Sequence, residues 1–287
     1  VRTLALTRLR SVRSHGVGLI PAEWVLTVAA RRLPMLIDRV DRPWVEKAPK
    51  VFWRGALVSA LCTSYAVPDD LGFEAGILPD FGLPTHQEPC EFWGGVHPDN
   101  WTRLTQAFSP RLTLRNWYLW PRPRLALLSR LAPHVVDAKF FGDQSPHFAI
   151  ADPEVMDIAR GLGLFAAKRA DYQEHAAYRY LVMVDQADRS YWYWQLDAVV
   201  LAADTASEYL ARLLFEPWVH YLPIKPDLSD LLERVAWAES HPEQAAEIAR
   251  RGRSLARQRF AHEDALHLLY RTVVAQAEAR RAQWGEK

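Results

Sequence analysis

Hydrophobic and polar positions alternate most clearly in the middle and the C-terminal third of the chain. Residues 51–54, Val-Phe-Trp-Arg, form a short apolar run that fits a first sheet strand. Residues 124–131 predict a short apolar helix, 134–138 a buried strand, and 153–164 a helix. Residues 178–184 are β-rich and end at Asp185; a short helix from Arg189 then leads into a strand at 198–202. A helix over 208–215 and a strand over 218–224 complete the pattern. Strands separated by helical segments of this length imply a parallel sheet with right-handed crossovers. Two long helices follow. Ser240 and Glu243 have capping-box spacing, with Pro242 in the first turn. Beyond them Ala245, Ile248, Ala249, Gly252, Leu255 and Ala256 make one apolar stripe. Residues 262–284 predict a charged helix lying on the surface. The fold class is α/β, Rossmann-like.

This pattern divides the chain into three parts. Residues 1–48 are basic and mixed, with no clear strand–helix alternation. Residues 49–260 hold the Rossmann-like unit, within which 64–121 are rich in Pro, Gly and aromatics and read as an irregular insertion. Residues 261–287 are the C-terminal helix.

Composition narrows the function classes. Hydrophobic residues make up 49% of the 287, enough for a packed core. Lys and Arg total 35 against 34 Asp and Glu, a balance that argues against nucleic acid as a partner. Two cysteines, Cys62 and Cys90, supply neither a disulfide framework nor metal-ligand spacing. With no apolar run long enough to cross a bilayer, the expectation is a cytoplasmic protein. Arg2, Arg8, Arg10 and Arg13 suit peripheral contact with an anionic membrane surface, and equally an ordinary solvated end.

Familiar motifs mostly fail on context. His262 and His267 are five residues apart, on different helix faces, whereas a zinc helix needs four. Gly161-Leu-Gly163 matches a relaxed dinucleotide fingerprint but follows a helical segment, so it reads as a helix C-cap. No Gly-x-Ser-x-Gly elbow, P-loop or Asp-x-Asp pair is present. The strand ends are more informative, because open parallel sheets bind ligands beyond their carboxyl ends. Asp185-Gln186-Ala187-Asp188-Arg189 lies between a strand and a helix, where backbone N–H groups and the Arg189 guanidinium suit a diphosphate. An Asp–Arg helix cap would give the same letters. Arg54-Gly55 follows the first strand, and glycine there permits close approach of a ligand or simply a turn. Arg122 and Arg124 open a helix, where positive charge opposes the helix dipole unless an anion is near.

Three stretches together resemble glycosyltransferase family 90, the capsule xylosyltransferase and protein O-glucosyltransferase group with bacterial surface-glycan relatives. They are Pro43-Trp-Val-Glu-Lys-Ala-Pro-Lys-Val-Phe-Trp-Arg-Gly55, Arg122-Pro-Arg-Leu-Ala-Leu-Leu-Ser-Arg130 through Val136-Asp-Ala138, and residues 178–232. The chain departs from the family at Ala56, where Ser is usual, at Gln186, where Gly is usual, and at Ala202, where Lys often stands. The resemblance implies a GT-B-like architecture whose Rossmann-like donor lobe holds a UDP-sugar at Arg54, Gly55, Ala56, Arg122 and Asp185–Arg189, beside an abbreviated N-terminal lobe. It implies inverting transfer of glucose or xylose without a metal or other cofactor. The acceptor would be a glycan or lipid-linked saccharide, a lipopolysaccharide or capsule precursor. The family's base is an Asp in an Asp-x-Pro setting, which Asp41-Arg-Pro43 matches in letters. Asp38, or Asp69, Asp70 and Asp80 in the insertion, are the other candidates. A rival expectation is a catalytically inactive nucleotide-sugar-binding or scaffold protein that keeps the fold.

Overall fold

A computed structural model of the chain describes residues 5–7, 9–11, 17–19, 28–55, 57, 117, 121–141, 153–184, 191–203, 207–209, 214–225, 227–260 and 262–284. In chain order the elements are β1 (Ala5–Thr7), β2 (Leu9–Ser11), β3 (Val17–Leu19), α1 (Val28–Val40), β4 (Ala48–Gly55), α2 (Pro121–Leu131) and β5 (Val136–Phe140). Then come α3 (Pro153–Gly161), α4 (Tyr172–Ala176), β6 (Tyr178–Met183), β7 (Val199–Ala203), β8 (Ser207–Tyr209) and β9 (Leu222–Ile224). Helices α5 (Leu231–Ser240), α6 (Pro242–Arg259) and α7 (His262–Trp284) close the chain. Two 3-10 turns, Trp44–Glu46 and Tyr191–Gln195, precede β4 and β7.

The centre is a five-stranded sheet in the order β5-β4-β6-β7-β9, parallel throughout. β4 therefore sits inside the sheet, with β5 added on one side and β6, β7 and β9 on the other. Strands buried on both faces need apolar residues at successive positions, and β7, Val-Val-Leu-Ala-Ala, is buried at all five. Val51, Trp53, Ala138, Val182 and Leu201 point into one core layer with α2, α3, α5 and the first half of α6. Phe52, Leu181, Met183 and Val200 point into a second layer with α1, the turn at Tyr191–Gln195 and the end of α6. Register slips once: Ala48 faces Tyr178 and Val51 faces Tyr180, so β4 carries one extra residue. Pro49 lies in that bulge, where a missing N–H breaks no ladder bond.

Helix ends follow local chemistry, with some surprises. Asp171 caps α4 by accepting from the Glu174 N–H at 2.8 Å. α3 ends in a Schellman motif: Leu164 N–H donates to the Ala159 carbonyl at 3.0 Å and Gly163 N–H to the Arg160 carbonyl at 2.8 Å. Gly163 has φ +66, so it is the expected helix stop. The capping box at the head of α6 does not form. Ser240 Oγ instead donates to the Trp237 carbonyl at 2.8 Å, because α5 runs through Ser240 and leaves its hydroxyl on a preceding turn. Pro242 does open α6, and His241 precedes it without a side-chain cap. α5 repeats Leu231, Val235 and Ala238 on its buried side, a helical period not singled out in the sequence. Gly252 on α6 lies against the turn before β9: a Cβ there would stand 2.5 Å from the His220 carbonyl oxygen.

Two expectations are overturned. Residues 207–209 form β8, antiparallel to β2, where a helix over 208–215 was predicted; the partner comes from the far N-terminal part of the chain, beyond any local pattern. The strand expected over 218–224 is only Leu222–Ile224, because the chain turns at Trp218–His220 with Trp218 at φ 65. α7 is a surface helix as expected, exposing Leu266, Tyr270 and Val273. No helix among the described residues is long and apolar enough to cross a membrane.

Candidate functional site

The sheet has one switch point. β4 leads to β5 on one side, and the chain then returns to place β6 on the other. A crevice opens beyond the carboxyl ends of two strands where the order reverses, here between the ends of β4 and β6. Gly55 closes β4. Asp185-Gln186-Ala187-Asp188-Arg189 continues from the end of β6, and Ala56 follows β4; both lie outside the described residues. Arg122 stands in the first turn of α2. That helix packs on β5 and joins it through a tight turn, with Val136 N–H bonded to the Ala132 carbonyl at 2.9 Å. The hairpin-like connection runs α2 antiparallel to β5, so its first turn, with Arg122, rises towards the carboxyl rim.

Gly55 has a different physical requirement from the one expected. A Cβ at this position would lie 2.1 Å from the Trp53 ring, so glycine here makes room for an indole two residues earlier. That indole is buried in the first core layer and packs edge-on against Phe140 at 6.1 Å.

Arg54 turns back along the sheet. Its guanidinium lies 4.2 Å from the Phe52 ring centroid, donates to the Trp53 and Asp137 carbonyls at 3.0 Å each, and pairs with Asp137 Oδ1 at 2.8 Å. Glu174 stands 3.9 Å away. Tyr178 stacks on Phe52 at 4.3 Å and donates its hydroxyl to Asp137 Oδ2 at 3.1 Å. Burial and then the Asp137 carboxylate push the Tyr178 hydroxyl up to about 12, so it stays a neutral donor. His175 completes the cluster edge-on to Phe52 at 4.8 Å, and burial pulls its imidazole down to about 4. Arg54 thus organises the floor beneath the rim, and the partners that hold it were not singled out for this role in the sequence. Phe52, Trp53, Asp137 and Tyr178 stood in segments already noted, whereas Glu174 and His175 did not.

Asp41, read as a candidate base, occupies the framework. Its Oδ1 receives Lys47 Nζ at 2.5 Å and the Arg42 N–H at 3.0 Å. Its Oδ2 accepts the Asp197 N–H at 2.8 Å and faces Arg253 at 3.4 Å. The side chains of Lys47 and Asp41 are 0% and 5% exposed, and burial pulls the Lys47 ammonium below the usual lysine range against the hold of Asp41. A carboxylate with both oxygens engaged and almost no open surface has no position from which to meet an acceptor hydroxyl. Asp38 is exposed but pairs with Arg253 at 3.0 Å and Arg257 at 2.5 Å; the Arg257 hydrogen bond holds its carboxyl below the usual range. Asp69, Asp70 and Asp80 lie outside the described residues. Among the described residues no group of three or more His, Cys, Asp or Glu is placed to hold a metal ion.

The profile described as Glycosyl transferase family 90 matches residues 121–274, from the first turn of α2 into α7. The chain belongs to that family. Among curated relatives, human protein O-glucosyltransferase 3 is 36% identical over 139 residues, 47% of this chain and 25% of its own length. Human protein O-glucosyltransferase 1 is 32% identical over 147 residues, 50% of this chain and 35% of its own length. This family 90 chain therefore spans about a quarter to a third of the relatives it matches. Among solved structures, Anabaena Alr3699/HepE in complex with UDP-glucose aligns at TM-score 0.40 and 19% identity over 64% of this chain and 54% of that one. A glycosyltransferase from Rickettsia africae aligns at TM-score 0.41 and 12% identity, covering 67% and 53%.

Proposed function

We propose that this chain carries the donor half of an inverting glycosyltransferase that moves a glucose- or xylose-class sugar from UDP to a hydroxyl. Membership of family 90 carries the reading, since the matched span begins at Pro121, one residue before Arg122, and includes the end of β6 at the switch point. In the proposed mechanism UDP lies across Gly55, Ala56 and the Asp185–Arg189 segment, within a GT-B-like arrangement. Arg122 and Arg189 neutralise the charge that develops on the leaving diphosphate, which makes a metal unnecessary. Losing one such preorganised contact typically costs on the order of 3 kcal/mol in the transition state. The acceptor oxygen attacks the anomeric carbon from the face opposite UDP while a carboxylate takes its proton. With Asp41 and Asp38 held by cations, that carboxylate is assigned to Asp69, Asp70 or Asp80. The acceptor is proposed as a surface-glycan or lipid-linked saccharide precursor met at the cytoplasmic side of a membrane.

A second reading, a nucleotide-sugar-binding or scaffold protein without turnover, draws support from the engagement of Asp41 and from Ala56 and Gln186 at positions where the family usually has other residues. Calorimetric titration with UDP, with and without EDTA, tests the shared premise. Metal-independent binding that disappears in Arg122→Ala and Arg189→Ala is the expected result, and UDP-sugar turnover then separates enzyme from scaffold. No binding at millimolar UDP would end the enzyme reading and leave the family fold to a scaffold role.

A further inference from the structure

α1 has two sharply different sides. Leu33, Ile37 and Val40 recur at helical spacing and pack into the second core layer. The single acid within the helix, Asp38, is drawn to α6 by Arg253 and Arg257, and Asp41 just beyond is buried against Lys47. Arg32, Met35, Leu36 and Arg39, at spacings of three, four and seven, form a second, outward stripe. Met35 is 53% and Leu36 41% exposed. Among the described residues Arg39 donates to Met35 Sδ at 3.6 Å, and neither Arg32 nor Arg39 meets a carboxylate there. The chain that follows continues in kind, with Arg42 exposed and Val45 78% exposed; Glu46 beside it is exposed as well.

We propose that this outer face of α1 rests on an anionic lipid surface. Arg32 and Arg39 meet headgroup phosphates, and Met35 and Leu36 enter the boundary with the acyl chains. The charge arrangement favours a bilayer: every acid of the helix and its exit except Glu46 is neutralised inward, leaving cations around two apolar side chains. Two such side chains are far too little surface for a stable protein interface, which buries roughly 1,200 Å² or more. A membrane supplies unlimited anionic area and tolerates shallow insertion. The proposal does not depend on the transferase reading, because lipid contact is measured without turnover.

The test is sedimentation of the full chain with vesicles of phosphatidylcholine, alone or with about one-third phosphatidylglycerol. Binding to the anionic vesicles only, lost at about 0.5 M salt, is expected. The double variant Arg32→Glu, Arg39→Glu should lower the partition coefficient roughly a hundredfold. Arg130→Glu with Arg160→Glu, the same charge change on helices of the other core layer, should leave binding within about twofold. Met35→Asp with Leu36→Asp should weaken binding while melting stays at the wild-type temperature. Absence of binding, equal binding to neutral vesicles, or equal losses in both Arg pairs would overturn the proposal. So would concentration-dependent self-association abolished by the α1 substitutions, which would make this face a contact between copies.

Discussion

The two faces of the central sheet are built by different chemistry. On one, Val51, Trp53, Ala138, Val182 and Leu201 meet four helices through apolar side chains; the main polar intrusion is the Tyr180 hydroxyl, donated to Glu239. On the other, Phe52 and Leu181 share their layer with an ionic scaffold of Arg54, Asp137, Glu174, Lys47, Asp41 and Arg253. The first face gains from burial alone, on the order of 1.5–3 kcal/mol for each large side chain. The second must satisfy every charge it removes from water, and a missing partner there is far more damaging than a missing methyl group. A charged residue at a candidate position is therefore not automatically a binding residue: Arg54, near the carboxyl end of β4, and Asp41, beside the amino ends of β4, β6 and β7, hold this second face together.

The largest test of that contrast is Asp41→Ala. It leaves the Lys47 ammonium buried without its counter-charge and should cost about 3–5 kcal/mol in chemical denaturation. Stability unchanged together with abolished sugar transfer would instead restore Asp41 as the base.

The contrast also explains what could be read from the sequence. β6 and β7 were readable because runs such as residues 199–203 are apolar on both sides, and α6 because its buried stripe keeps one helical period. Gly163 was readable as a helix stop since the segment before it is helical. The employment of Arg54 was not, because Asp137 and Glu174 reach it from other elements. Neither was β8, whose partner β2 lies near the opposite end of the chain. Local patterns report burial; they do not report which distant charge will arrive.

A second test uses pH. His175 is 3% exposed, and its imidazole titrates at about 4 in the fold against about 6.5 in an unfolded chain. Above the unfolded value both states are neutral and stability is whole. As pH falls through the interval, the unfolded chain takes up a proton that the folded one refuses, so stability declines, by about 3 kcal/mol in all. Below about 4 this contribution changes no further. Urea unfolding at pH 7 and near pH 4 should show the loss, and His175→Phe should flatten it. An equally steep profile in the variant would place the acid sensitivity among the carboxylates. The smallest effect belongs to Tyr178→Phe, which removes one donor from Asp137 while Arg54 stays paired. About 1 kcal/mol is expected; a loss several times larger would mean that Tyr178, and not Arg54, anchors this floor.

The interior position of β4 has a kinetic consequence. Its neighbours on both sides are made later, β5 after residues 56–135 and β6 after residue 177. During synthesis a strand that will lie inside the sheet emerges with no edge to join, its aromatic residues waiting for partners still to be translated. Such long-range parallel pairing slows folding, and the sheet can close only once residues through β6 have left the ribosome. Until then Phe52 and Trp53 are surface that a chaperone would have reason to cover.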